Sequence, residues 1–248
     1  MTVPSPKSSA FYVQFPQGRT PKAQAVLDLL EQAADAARVF TVSHRPKDDD
    51  DWLELLSSGL TFDLSGLSGA GAAPKVATRY GVAADTDLDH SAWLRLAPGE
   101  HLSGGGSQLP VVRVMAGVVL GLLDLPGAMG VAWGPARTIM SAEHFRRIVP
   151  GWLRGGAFPA LGLTALARDG AGNVVSEGLS FFAGLELRIE PLLAKQPGLA
   201  GKVAVRLIHS LVDGWTVKEP VEVEGPDGEI LGVTPEENGK ILRVCLAR

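Results

Sequence analysis

The sequence predicts an α+β protein: a largely antiparallel sheet with helices packed on one face. Three observations carry this. Strand-like and helix-like segments alternate in the first half and strands cluster in the second, the order expected when helices gather on an antiparallel sheet. Leu109–Ser141, the most apolar stretch, fits a buried helix followed by a short strand. Leu185, Leu187 and Ile189 alternate with Glu186, Arg188 and Glu190, the period of a half-buried strand with a charged outer face. A faint strand–helix–strand echo between residues 10–64 and 91–133 admits two degenerate ferredoxin-like units.

A chain of 248 residues has room for one large domain or two small ones. The expected division is a loose stretch over 1–9, an α+β unit over 10–75 and a second over 90–248, which could join the first in one domain. With 46% apolar and 20% charged residues a sizeable core is available. A net charge of −4 gives no electrostatic footprint for nucleic acid or an anionic membrane. Cys245 is the single cysteine, which rules out an intramolecular disulfide or a cysteine metal cluster and fits a reducing compartment. Residues 1–11 hold no apolar signal core, so a cytoplasmic protein of bacterial style is expected.

In order, Ala10–Phe15 reads as a strand. Thr20 and Pro21 suit the start of a helix running to Arg38, with Ala25, Leu29 and Ala33 on one face. Lys47–Asp51 precedes Trp52, Leu53, Leu55 and Leu56, and acidic residues favour a helix N-terminus. A short helix is therefore expected there, ahead of a divalent cation site. Leu60–Leu64 is a strand, Gly66–Lys75 a flexible loop and His90–Ala97 a strand.

Pro110 suits the first helical turn. Val112, Met115, Ala116, Val119 and Leu123 recur at helical spacing, while Val111, Val114, Val118 and Leu122 make the other side apolar. A helix apolar all round is buried. The valines fit a strand too; length favours helix. Gly117 and Gly121 share a face and leave a groove for close approach. Each costs about 1 kcal/mol of helix stability relative to alanine, which packing should return. The clean apolar run, Val114–Leu123, is bounded by Arg113 and Asp124 and is too short for a membrane span of about 20 residues. Ala128–Trp133 is then a strand stopped by Gly134-Pro135.

Ser141 caps a helix with Glu143 in its first turn, closed by Pro150-Gly151. Phe158–Arg168 and Val174–Phe182 are strands joined by a turn at Asp169–Asn173. Leu199–Val212 is a helix with Val203, Leu207 and Leu211 stacked on one face. Val221–Val223, a turn at Pro226–Gly228, Ile230–Val233 and Lys240–Leu246 complete the sheet.

Two pieces of the second half, Gly178–Pro191 (GLSFFAGLELRIEP) and Asp227–Val244 (DGEILGVTPEENGKILRV), together with the buried helix leading to Trp133, carry a resemblance. They resemble the domain-of-unknown-function 4261 family of bacteria over residues 90–248. Ala183 before Gly184 loosens the family spacing, and Arg188 stands where a second acidic residue is common. The resemblance implies a fold and a bacterial origin and no activity. Members near secreted-toxin and immunity-type genes imply a toxin-neutralising alternative.

No catalytic signature emerges. The histidines, His44, His90, His101, His144 and His209, show no metal spacing, and no nucleophile elbow occurs. No cofactor and no metal are expected. Gly104–Gly106, leading into the apolar helix, is the nearest likeness to a phosphate loop, but it lacks the motif and reads as a connector. A pocket near it, with His101 or His209, is the small-molecule or enzyme alternative. His209 and Asp213 have the spacing of an acid–base dyad, and more simply that of a surface i,i+4 contact. Glu186 and Glu190 flank Arg188 on a solvated face or a partner's rim, a reading preferred to paired catalytic carboxylates. Trp133 and Trp93 read as core; Trp152 and Trp215 sit beside glycines near element ends and are the aromatics for a binding surface. The expected function is a non-enzymatic protein-binding or regulatory domain, with Trp152, Trp215, Glu186 and His209 as its candidate binding residues and a protein as its partner.

Overall fold

The computed structural model describes residues 9–32, 39–47, 51–69, 71–102, 105–196 and 198–247. The chain divides into two compact units, Met1–Gly156 and Ala157–Arg248. The division expected between 75 and 90 is crossed by strand pairing, so both sides of it lie in one sheet.

The first unit runs β1 (Phe11–Phe15), α1 (Ala23–Gln32), β2 (Thr41–His44), β3 (Trp52–Ser57), β4 (Leu60–Ser65), β5 (Thr78–Tyr80), β6 (Ala92–Pro98), α2 (Leu109–Leu122), β7 (Gly130–Trp133), β8 (Thr138–Ser141) and α3 (Ala142–Leu153). Among the described residues its strands form one sheet in the order β2-β3-β4-β6-β1-β7-β8-β5, antiparallel except for β5 on β8. The inner order β4-β6-β1-β7, with α1 and α2 in the connections, follows a ferredoxin-like βαββαβ path. The echo between residues 10–64 and 91–133 therefore contributes the two halves of one such circuit, with β2 and β3 inserted.

The apolar helix forms where expected. Helix α2 lies on β1, β6, β3 and β4 with Met115, Ala116, Val118 and Val119 fully buried. Helix α3 packs beside it and covers β7 and β8. The groove left by the two glycines is filled: a Cβ on Gly121 would lie 2.9 Å from Cε1 of Phe40, and one on Gly117 3.6 Å from Val39 and 3.7 Å from Leu153. No helix among the described residues is long and apolar enough to cross a membrane.

Trp52–Ser57 is a strand, where a helix was expected. Ser58 and Gly59 both have positive φ, 48° and 75°, and close a two-residue hairpin that sets Ser57 opposite Leu60. The buried residues Leu53, Leu55 and Ser57 then follow period two. Of the acidic run, Asp48–Asp50 lie outside the described residues. Asp51 accepts the Ser68 amide at 2.8 Å and its hydroxyl at 2.5 Å, which ties the start of the Gly66–Lys75 loop to the residue before β3. Helix α1 is described to Gln32; its expected continuation over 33–38 lies outside the described residues, as do residues 1–8. Ser141 caps α3 by accepting the His144 amide at 3.1 Å, as its sequence predicts. The helix runs on through Pro150 to Leu153, because Phe145, Val149 and Trp152 continue one buried stripe across the proline.

The second unit runs α4 (Ala160–Leu163, a kinked turn), β9 (Ala165–Arg168), β10 (Val174–Glu177), α5 (Leu179–Ala183), β11 (Glu186–Ile189), α6 (Pro191–Ala194), α7 (Leu199–Val212), β12 (Val221–Glu224), β13 (Ile230–Glu236) and β14 (Ile241–Leu246). Its sheet order is β12-β13-β14-β11-β10-β9, antiparallel except for β11 on β14. Helix α7 forms over the expected span and buries Val203, Ala204, Leu207, Ile208 and Leu211. Two expected strands are shorter. Phe158–Arg168 holds α4 before β9, since Gly162 has φ 130° and breaks extension. Val174–Phe182 ends at Glu177, where Gly178, at φ 87°, turns the chain into α5. The Asp169–Asn173 turn is present: Asp169 Oδ1 accepts the Ala171 and Asn173 amides, each at 2.9 Å.

Candidate functional site

The structure scatters the expected binding residues. Trp152 is 2% exposed, a core side chain on the inner stripe of α3. The Arg113 guanidinium stacks 5.5 Å from its ring centroid and donates to the carbonyls of Trp152 and Leu153, each at 2.9 Å. The indole is therefore packed inside the first unit beside α2, not displayed at a surface as expected.

Glu186 is 8% exposed and does not share the solvated face with Arg188 and Glu190. The αL turn at Gly178 folds α5 over the start of β11. Glu186 Oε1 then accepts the Gly178 amide at 2.9 Å and the Ser180 amide at 3.0 Å, while Oε2 accepts the Ser176 hydroxyl at 2.5 Å. This is an anchored structural carboxylate with its lone pairs in use. Ser180 accordingly sits on α5, not on a packed strand. The outer face of the sheet is built by the others: Arg243 pairs with Glu190 at 2.7 Å and Glu236 at 2.6 Å, and Arg188 reaches Glu236 at 3.5 Å.

His209 donates from Nε2 to the Phe158 carbonyl at 2.8 Å, pinning the end of α7 to the segment before α4. The ring's bond is to this carbonyl, and the expected side-chain contact with Asp213 does not form.

Trp215 lines a cavity. Helix α7 ends at Asp213-Gly214, and Gly214, at φ 103°, turns the chain so that the Trp215 amide bonds the Ser210 carbonyl at 2.8 Å. The half-buried indole thereby borders an open cleft of about 550 Å³ between α7 and the β12–β13 hairpin. Val203, Leu207, Val223 and Leu231 give the cleft an apolar lining, while Arg206, Ser210, Asp213 and Glu224 supply its polar groups. That volume lies within the usual range of ligand pockets, and an apolar lining with a few placed polar groups is their usual chemistry. The cleft has room for an apolar or aromatic side chain.

Arg206 and Ser210 were not singled out in the sequence, although their spacing of four on α7 sets them in one helical row. Val223 and Leu231 were not singled out, since they join the cleft only through strand pairing opposite each other.

Elsewhere, Gly104 of the phosphate-loop likeness lies outside the described residues. The amides of Gly105 and Gln108 bond chain carbonyls at 2.9 Å, so these donors are used in the turn itself. Among the described residues no group of three or more His, Cys, Asp or Glu side chains could hold a metal ion. In the first unit His144 stacks on Tyr80 at 6.2 Å and accepts the Arg147 guanidinium at Nδ1, 2.7 Å away. Burial, with Arg147 adding to it, holds this imidazole below its ordinary range. Burial pushes the Asp63 carboxyl up, against a hydrogen bond from Trp52.

Comparison with known proteins gives no matching family model, no matching curated protein and no matching solved structure.

Proposed function

We propose that the protein is a non-enzymatic binding or regulatory domain that receives a protein partner at the Trp215 cleft. The observation that carries this is the half-buried indole beside an apolar-lined cleft on an otherwise well-packed unit. Tryptophan in such a position is the residue type that most often dominates a protein interface, because it buries much area while losing few rotamers. The polar groups Arg206, Ser210, Asp213 and Glu224 supply the orientation an apolar anchor lacks.

The test is crosslinked affinity purification from the native lysate, comparing the wild type with Trp215→Ala. A protein captured by the wild type and lost in the variant supports the reading. Equal capture by both removes the cleft from it, and no capture above background removes the protein-binding reading itself.

A further inference from the structure

Resting on that reading, we infer how the partner binds: a basic extended segment adds to the free edge of β12 as a further strand and lodges an apolar side chain against Trp215. Strand β12 ends the sheet order of the second unit, and among the described residues no strand pairs with its outer edge. Edge strands present unpaired backbone groups, and proteins commonly blunt them with lysine, bulges or a covering loop. Here the strand is Val-Glu-Val-Glu, its pairing with β13 is regular from Val221↔Val233 to Glu224↔Ile230, and Val221 is 39% exposed.

The two faces of β12 then specify the guest. Val221 and Val223 pair with the buried Val233 and Leu231, so they point to the side where α7 and the cleft lie. Glu222 alternates to the opposite side, as does Glu224 beside the exposed Ile230, although at the end of the strand Glu224 also borders the mouth of the cleft. A strand laid along this edge sends every second side chain toward the cleft and the others alongside the two glutamates. Its complement alternates apolar and basic residues.

The charge of the region agrees. Between Asp213 and Glu229 the acids are Asp213, Glu219, Glu222, Glu224, Asp227 and Glu229, against Lys218. Asp227 is met by Lys202 at 2.9 Å. A second copy of β12 is the wrong guest, because its own alternation would lay glutamate beside glutamate, and like charges across a strand pair repel.

The probe is a fluorescein-labelled peptide of seven residues, Lys-Val-Lys-Phe-Lys-Val-Lys, read by anisotropy with the full chain at low and moderate salt. Three control peptides accompany it: one of the same composition with the alternation scrambled, one with Glu for every Lys, and one N-methylated on alternate backbone amides. Saturable binding is expected, with slowed amide exchange at Val221–Glu224. A loss of about tenfold or more is expected for the scrambled and acidic peptides, for N-methylation on the pairing edge, and for the E222K/E224K double variant. Both substitutions lie on exposed positions and spare the fold. Equal affinity for the scrambled or N-methylated peptide overturns strand addition, as does absence of binding. If the peptides fail while the Trp215-dependent capture from lysate stands, the mode of binding falls and the protein-binding reading survives. If that capture fails as well, both fall.

Discussion

The Ser176 hydroxyl donates to the Glu186 carboxylate at 2.5 Å and, through its oxygen, accepts the Leu187 amide at 2.8 Å. One side chain thus ties strand β10 to both the carboxylate and the backbone of β11, at the point where Gly178 reverses the chain. A glutamate that the alternation places outside is thereby drawn inside.

Removing that carboxylate leaves the amides of Gly178, Leu179 and Ser180 without their acceptor. Glu186→Ala is expected to destabilise the second unit by about 2–4 kcal/mol, and Ser176→Ala by about 1–2 kcal/mol, in urea unfolding. Glu186→Gln should fall nearer the first value, since its new N–H₂ faces donors. A loss under about 0.5 kcal/mol for Glu186→Ala would show that the bonds carry little weight.

The two glycines of α2 should respond with opposite signs. Gly117→Ala places its methyl at ordinary contact distance and gains helix propensity, so stability rises by up to about 1 kcal/mol. Gly121→Ala drives its methyl into the buried Phe40 ring, and stability falls by about 1–3 kcal/mol. Thermal unfolding of the pair reads both.

The two tryptophans should separate fold from binding. Trp152→Ala opens a cavity in the first unit and is expected to cost about 3–5 kcal/mol. Trp215→Ala borders a cleft already open, and should cost less than about 1.5 kcal/mol while abolishing partner capture.

His144 titrates below the ordinary imidazole range because burial, and then Arg147, disfavour its charged form. The folded state therefore binds fewer protons there than the unfolded chain. Its contribution to stability is present above the unfolded value, about 6.5, and is lost as pH falls from there through the folded value. Arg147→Gln should raise the His144 pKa, followed by NMR titration of the ring. An unchanged titration would assign the shift to burial alone.

Much of the fold was legible because its signals are local. The all-round apolarity of α2, the Ser141 cap and the stripe of α7 each specify an element from a few neighbouring residues. Trp52–Ser57 was misread because the acidic run resembles a helix start, while the Ser58-Gly59 reversal that settles the matter is a two-residue event. The site was less legible. Trp152 and Trp215 look alike in sequence, each beside a glycine, and only the packing of α3 against its sheet hides one of them. Glu186 obeys the strand period in sequence and departs from it because α5 folds back over it.

Strand β1 has a temporal consequence. Phe11 pairs with Leu96 on one side and Trp133 on the other. On the ribosome, Phe-Tyr-Val-Gln-Phe emerges long before either neighbour has been made. Both margins stay open until about residue 98 is free of the exit tunnel and one of them until about residue 133, and closing loops of that span is slow. The nascent chain thus carries an apolar strand without its neighbours for much of the synthesis of its first unit, the interval in which a chaperone has something to protect.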